Sequence, residues 1–253
     1  MSIKKIAAAF FAAGAVICSA AEIYDLSTPE AWEKRAPLTV HGKGVLRAKG
    51  RITIVSKEIY PYDATKTYTF KGLYRQLPGC GNNIFRVGII PLDKDKKLIE
   101  YYTSHPNTAT NAILVKDAAA TDNFIIIDNG AKWNKSGFTA YQTKPDRSDL
   151  PNKNIIKQVP RSIEQTADGW KISFAKPIGV AIKAGTGVRQ HYQGGRFRFA
   201  GSITDGKVGS NMKFSGVDVG TKYFQVIIVS GTSMKRGEEP PVVEMRKPSI
   251  EVK

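Results

Sequence analysis

The chain has 253 residues, 42% of them hydrophobic and 24% charged, with two cysteines and a formal charge of +16. That length suits one large β domain or two small ones, and the cysteine count excludes a disulfide-stapled scaffold. The surplus of Lys and Arg points either to polyanionic partners or to a basic balance that serves solubility alone, and the chain has no nucleic-acid motif and no basic tract of five or more residues, which argues against nucleic acid.

Lys4 and Lys5 form a positive N-terminal region, an apolar run covers residues 6–17, and the small residues Ser19, Ala20 and Ala21 follow. This order predicts a secretory signal over residues 1–21, cleaved near Ala20 or Ala21. The apolar run is only about a dozen residues, against the roughly twenty that span a hydrocarbon core, so a secreted or periplasmic protein is expected rather than an anchored one. A lipid anchor on Cys18 is disfavoured by Ile17, which stands where a small residue is wanted. Loss of Lys4 and Lys5 lowers the charge by two, from +16 to +14, and leaves Cys80 with no partner for an intramolecular disulfide.

Residues 28–34, with Ser27 or Thr28 as N-cap and Pro29 in the first turn, read as one short helix. After it, alternating or β-branched segments bounded by Gly, Pro, Asn or Asp predict strands at 38–40, 51–55, 67–74, 84–90, 113–115, 124–127, 138–142, 170–174, 188–192, 196–199 and 223–229. Strands at this spacing with no helices between them predict an all-β fold, an antiparallel β-sandwich of jelly-roll type, with residues 22–253 as a single domain. Two segments interrupt the rhythm. Residues 144–154, KPDRSDLPNKN, form a long polar connection of the kind that carries function on a rigid β scaffold, and residues 234–241, MKRGEEPP, form a charged loop before the last short strands.

The chain has no G-x-S-x-G elbow, H-E-x-x-H, C-x-x-C or phosphate loop. His41, His105 and His191 lie far apart in sequence, which argues against a transition-metal site. Asp93 and Asp95 offer two carboxylates to Ca²⁺, but Lys94, Lys96 and Lys97 crowd them, so a charged hairpin turn is expected and no cofactor. What survives is binding through aromatic platforms and polar loops, because a sugar ring presents an apolar face to stack and hydroxyls to pair. The candidate aromatics are Trp133, Tyr141, Tyr101, Tyr102 and Tyr192, while Trp170 opens a strand in which alternation places Trp170, Ile172 or their neighbours on the core face.

Residues 59–72, IYPYDATKTYTFKG, followed by residues 85–93, FRVGIIPLD, resemble paired strand motifs of the galactose-binding-like jelly rolls that serve as carbohydrate-binding modules. The resemblance covers about a tenth of the chain, and it implies a sandwich with Tyr68 pointing inward and a role in glycan recognition. SDLPN at residues 148–152 and AGTGVRQH at residues 184–191 resemble a motif pair of uncharacterised exported bacterial proteins, a likeness that transfers no activity.

In that second motif, alternation puts Val188, Gln190 and Tyr192 on one strand face and Arg189 with His191 on the other. Either Arg189 and His191 form a basic site beside the Asp149–Asn152 loop, or Arg189 pairs with Asp149 and pins that loop to the sheet. The ligand-binding candidates are thus Trp133, Tyr141, Asp149, Asn152, Arg189, His191 and Tyr192. The leading expectation is an exported, non-catalytic carbohydrate-binding protein whose partner is a polysaccharide or another acidic surface glycan. A secreted lyase or hydrolase, which would need a convergent Arg/His/Tyr set or a carboxylate pair, and a structural cell-surface or matrix protein are the alternatives.

Overall fold

A computed structural model describes residues 21–33, 37–42, 44–79, 83–231 and 236–253. The expected signal segment through Ala20, Cys80, Lys34 and the start of the 234–241 loop lie outside the described residues. The fold is all-β. In chain order the first strands are β1 (Glu22–Asp25), β2 (Thr39–Val40), β3 (Val45–Lys49), β4 (Ile52–Val55), β5 (Tyr60–Pro61), β6 (Tyr68–Gln76) and β7 (Phe85–Leu92). A one-turn helix, α1 (Tyr101–Ser104), then leads into β8 (Ala112–Ile113), β9 (Phe124–Ile127), β10 (Phe138–Tyr141), β11 (Ile155–Ile156), β12 (Ser162–Thr166), β13 (Gly169–Ser173) and β14 (Gly187–His191). The chain closes with β15 (Arg198–Ile203), β16 (Val208–Gly209), β17 (Met212–Lys213), β18 (Tyr223–Ser230) and β19 (Val242–Val252).

Two antiparallel sheets make the sandwich. One has the order β16-β6-β19-β3-β2, with β1 on β19 and β17 on β6; the other has the order β15-β7-β18-β4, with β5 on β18. Alternate residues meet between them: Phe70, Tyr74, Met245 and Ile250 from the first sheet, and Phe85, Val87, Phe224, Val226 and Ile228 from the second, share one buried cluster. Tyr68 lies in the same cluster, and its hydroxyl accepts the Asp63 N–H at 2.8 Å. Period-two alternation with large apolar residues on one face is what drives these strands to pack.

The residues between β7 and β15 build a second core. Sheets of order β11-β10-β14-β8 and β12-β13-β9 enclose Leu114, Ile125, Ile127, Ile172, Phe174 and Val188. Trp170 packs beside this cluster, with Gly130 against its ring, where an added Cβ would stand 2.8 Å from the ring atoms. Among the described residues no helix is long and apolar enough to cross a membrane.

Two expected elements differ. The helix expected over residues 28–34 is only a 3₁₀ turn, Pro29–Ala31, because Trp32 leaves it in extended backbone. The Trp32 ring is buried and its indole N–H donates to the Leu26 carbonyl at 3.0 Å, so tertiary packing outweighs the N-cap signal. The short strands expected after residue 241 form one strand of 11 residues, β19, which pairs with β1, β3 and β6.

Candidate functional site

β7 runs into a tight hairpin at residues 93–98. Asp93 Oδ1 accepts the backbone N–H groups of Asp95 and Lys97, both at 2.9 Å, and Lys96 takes a left-handed φ of 58°. Burial works against the Asp93 charge, but these N–H groups and nearby Lys153, with Nζ at 3.7 Å, outweigh it and hold the carboxyl below its ordinary range. Asp95 pairs with Lys94 at 2.9 Å. Both carboxylates are therefore occupied by N–H groups and lysine, as a charged hairpin turn requires.

The chain then reaches α1, which sits at the junction of the two cores and is held from both sides. From the second core, His191 Nδ1 meets the Tyr102 carbonyl at 2.5 Å and the Asn152 N–H donates to the Thr103 carbonyl at 2.8 Å. From the sandwich, Asp218 Oδ1 lies 3.1 Å from His105 Nδ1, and the His105 ring stacks on Tyr101 at 3.7 Å. Arg198 binds Asp218 through Nε and Nη2, at 2.5 and 2.9 Å, and its guanidinium carbon lies 4.6 Å from the centre of the Tyr101 ring.

Beside α1 opens a cleft of about 580 Å³. Leu98, Ile99, Tyr102 and Pro151 supply its apolar surface, Lys94, Lys97, Lys153, Lys157 and Lys222 stand around it, and Asp93, Asp95 and Glu100 also line it. Lys157 Nζ lies 5.4 Å from the Tyr102 ring centre, and interaction with the Tyr102 hydroxyl raises the Lys157 pKa above its ordinary value. Tyr102 also makes an edge contact with Phe138, ring centres 5.3 Å apart, which fixes the ring plane. An aromatic face under a rim in which five lysines outnumber three carboxylates suits a ligand with an apolar face and negative charge.

The seven residues singled out from sequence fall elsewhere. Trp133 is 7% exposed within the second core, with its indole N–H donating to the Thr110 carbonyl at 3.0 Å, so it offers no platform to a sugar. Tyr141 packs on the same core. Arg189, His191, Asp149 and Asn152 do come together, but as a buried network. Arg189 Nη2 binds Asp149 Oδ2 at 2.5 Å, Nη1 donates to the Lys144 carbonyl at 3.0 Å and Nε donates to His191 Nε2 at 2.9 Å. Asn152 Nδ2 donates to Asp149 Oδ2 at 2.9 Å and to the Tyr141 carbonyl at 3.1 Å. Arg189 and His191 are each 0% exposed, so the ion pair pins the loop to the sheet and leaves no basic site for a ligand. Both faces of β14 are covered, since Gln190 opposite is also buried and bonds to Asn134. Tyr192 alone of the seven is exposed, and it lies outside the cleft lining.

The network fixes the state of His191. An arginine Nε can only donate, so His191 Nε2 must accept and the proton sits on Nδ1, which donates to Tyr102. Burial, aided by the adjacent Arg189 charge, lowers the His191 pKa to about 4, although the Tyr102 carbonyl and Asp149 pull upward. The imidazole is neutral at pH 7.

Sequence reasoning named Tyr102 among its aromatics and flagged the hairpin at residue 93 and the 144–154 loop separately. It missed that they meet, and it missed the Arg198–Asp218–His105 cluster. Comparison of the chain with models of known protein families, with curated proteins and with solved structures finds no match.

Proposed function

We propose that this is an exported, secreted or periplasmic, non-catalytic glycan-binding protein of the galactose-binding-like jelly-roll type, which takes an acidic polysaccharide in the Tyr102 cleft. The observation that carries the reading is the joining of one aromatic face to a lysine surplus, five lysines against three carboxylates, in a cleft of about 580 Å³. A uronate or sulfated sugar supplies both halves of the match: an apolar ring face for Tyr102, and anionic groups for Lys153, Lys157 and their neighbours. The complete burial of Arg189 and His191 favours binding over a lyase role, because neither side chain is presented to a substrate. The test is a glycan array of acidic and neutral polysaccharides at low and raised salt, read for wild type and Tyr102→Ala. Selective binding of acidic glycans that survives raised salt and is lost in the variant supports the proposal. Binding that disappears with salt for every polyanion alike, or that is unchanged in Tyr102→Ala, overturns it.

A further inference from the structure

The outward face of the β16-β6-β19-β3-β2 sheet carries a different arrangement of charge. Strand register aligns Thr39, Arg47, Glu244, Arg75 and Val208 in one rung across five strands, and places Val45, Arg246 and Leu73 in the next. Glu244 is saturated: Arg47 donates to Oε1 through Nε at 2.9 Å and through Nη2, and Arg75 Nη2 donates to Oε2 at 2.7 Å. Burial opposes the Glu244 charge, but the two guanidinium groups outweigh it and keep the carboxyl below its ordinary range. The carboxylate thus holds two arginines in place, and the Arg75 side chain still has 49% of its surface free.

The next rung is built by a distortion. Met245 and Ile250 are both buried although five residues apart, which strict alternation forbids. A bulge in β19 between Arg246 and Ser249 absorbs the extra residue, so the consecutive residues Arg246 and Lys247 are both exposed. Lys247 has a φ of 48°, a conformation that costs a non-glycine residue energy, and Gly72 on β6 admits the bulge, since a Cβ there would stand 2.6 Å from the Lys247 carbonyl oxygen. A regular strand would turn Lys247 into the core. The result is a groove of about 570 Å³ lined by His41, Arg47, Arg75, Arg246 and Lys247, in which Glu244 is the single carboxylate among the described residues.

We propose that this groove is a second anion site, independent of the Tyr102 cleft, that takes a phosphate or sulfate oxyanion between Arg75, Arg246 and Lys247, with Glu244 as a positioning residue. Guanidinium forks match tetrahedral oxyanions, and one carboxylate already spent on two arginines leaves the surplus cations for a ligand.

The test is a titration of the full mature chain with inorganic phosphate and with inorganic sulfate at fixed ionic strength, followed by the NMR signals of the arginine Nε–H groups, with chloride as control. The account expects saturable shifts at Arg75 and Arg246 that chloride does not reproduce. Arg246→Ala and Lys247→Gly should each weaken binding about ten-fold. Lys153→Ala/Lys157→Ala, in the cleft, should leave it unchanged. Because glycine accepts the left-handed conformation, Lys247→Gly should keep or raise the thermal midpoint, which separates loss of the site from loss of the fold. Sedimentation with phosphatidylglycerol vesicles identifies the source: co-sedimentation that requires Arg246 assigns a lipid headgroup, and phosphate binding without it assigns a soluble or glycan-borne oxyanion. Shifts reproduced by chloride, or phosphate binding unchanged in both Arg246→Ala and Lys247→Gly, overturn the proposal.

Discussion

Two buried arginine–aspartate pairs flank α1, and they use histidine in opposite senses. In the second core, Arg189 holds Asp149 on one side and donates to His191 on the other, so the histidine is an acceptor and neutral. In the sandwich, Arg198 holds Asp218, whose Oδ1 lies 3.1 Å from His105 Nδ1, and that nitrogen hydrogen-bonds the Tyr101 carbonyl at 3.2 Å, so between two acceptors the histidine is a donor. The first pair is sealed, with side-chain exposures of 0% and 7%; in the second, His105 keeps 27% of its side chain in solvent. The sealed cluster fixes the Tyr102 carbonyl and the partly open one fixes the neighbouring Tyr101 and His105. A cleft floored by Tyr102 depends on both, and the first depends on an uncharged imidazole.

The sharpest way to break this symmetry is to remove each carboxylate. Asp149→Ala leaves Arg189 charged, buried and unpaired, and should cost about 3–5 kcal/mol in urea unfolding. Asp218→Ala should cost somewhat less: Arg189 keeps the Lys144 carbonyl and His191 Nε2 as Arg198 keeps the Gly195 and Phe197 carbonyls, but the Arg198 side chain is 8% exposed and that of Arg189 0%. Asp149→Leu/Arg189→Met, which removes both charges at once, should recover much of the loss. A recovery as poor as the single variant would mean that geometry, not the unpaired charge, sets the cost.

Next in size is pH. The folded-state pKa of His191, about 4, lies below its unfolded value of about 6.5, so the unfolded chain takes up the proton first. Stability from this group is fully present above pH 6.5 and falls by about 3 kcal/mol as the pH drops to about 4, where it levels off. His191→Gln, which can accept from Arg189 and donate to Tyr102, should flatten that interval in a pH series of unfolding curves. An unchanged slope in the variant would assign the acid sensitivity to other groups.

Much of the sandwich was legible because Ile52 and Ile54 alternate with Thr53, and Tyr68 and Phe70 with Thr69, the pattern that a half-buried strand imposes. β19 was not read as one strand because its bulge reverses the parity of inward residues between Met245 and Ile250, and the charged run at Arg246 and Lys247 looks like a loop. The Arg189–Asp149 pairing could be anticipated from strand alternation and a polar loop carrying an aspartate. Arg198 and Asp218 could not, since nothing local marks two residues 20 apart as partners. Trp133 shows the limit of choosing platforms by residue type, as the same ring serves a core or a surface and only its surroundings decide. The cleft itself is assembled from residues 93–103, 151–157 and 220–222, segments that meet only through the fold.

The most direct measurement is calorimetric titration of a uronate oligosaccharide into wild type, Tyr102→Ala and Lys153→Ala/Lys157→Ala, with unfolding curves for each. Tyr102 is only half-buried, so its loss should lower stability by no more than about 1.5 kcal/mol. The account predicts that both variants stay folded and lose at least about ten-fold in affinity, and that a neutral oligosaccharide of the same length binds far more weakly than the acidic one. Equal affinity in all three proteins, or no discrimination between acidic and neutral sugars, would contradict it.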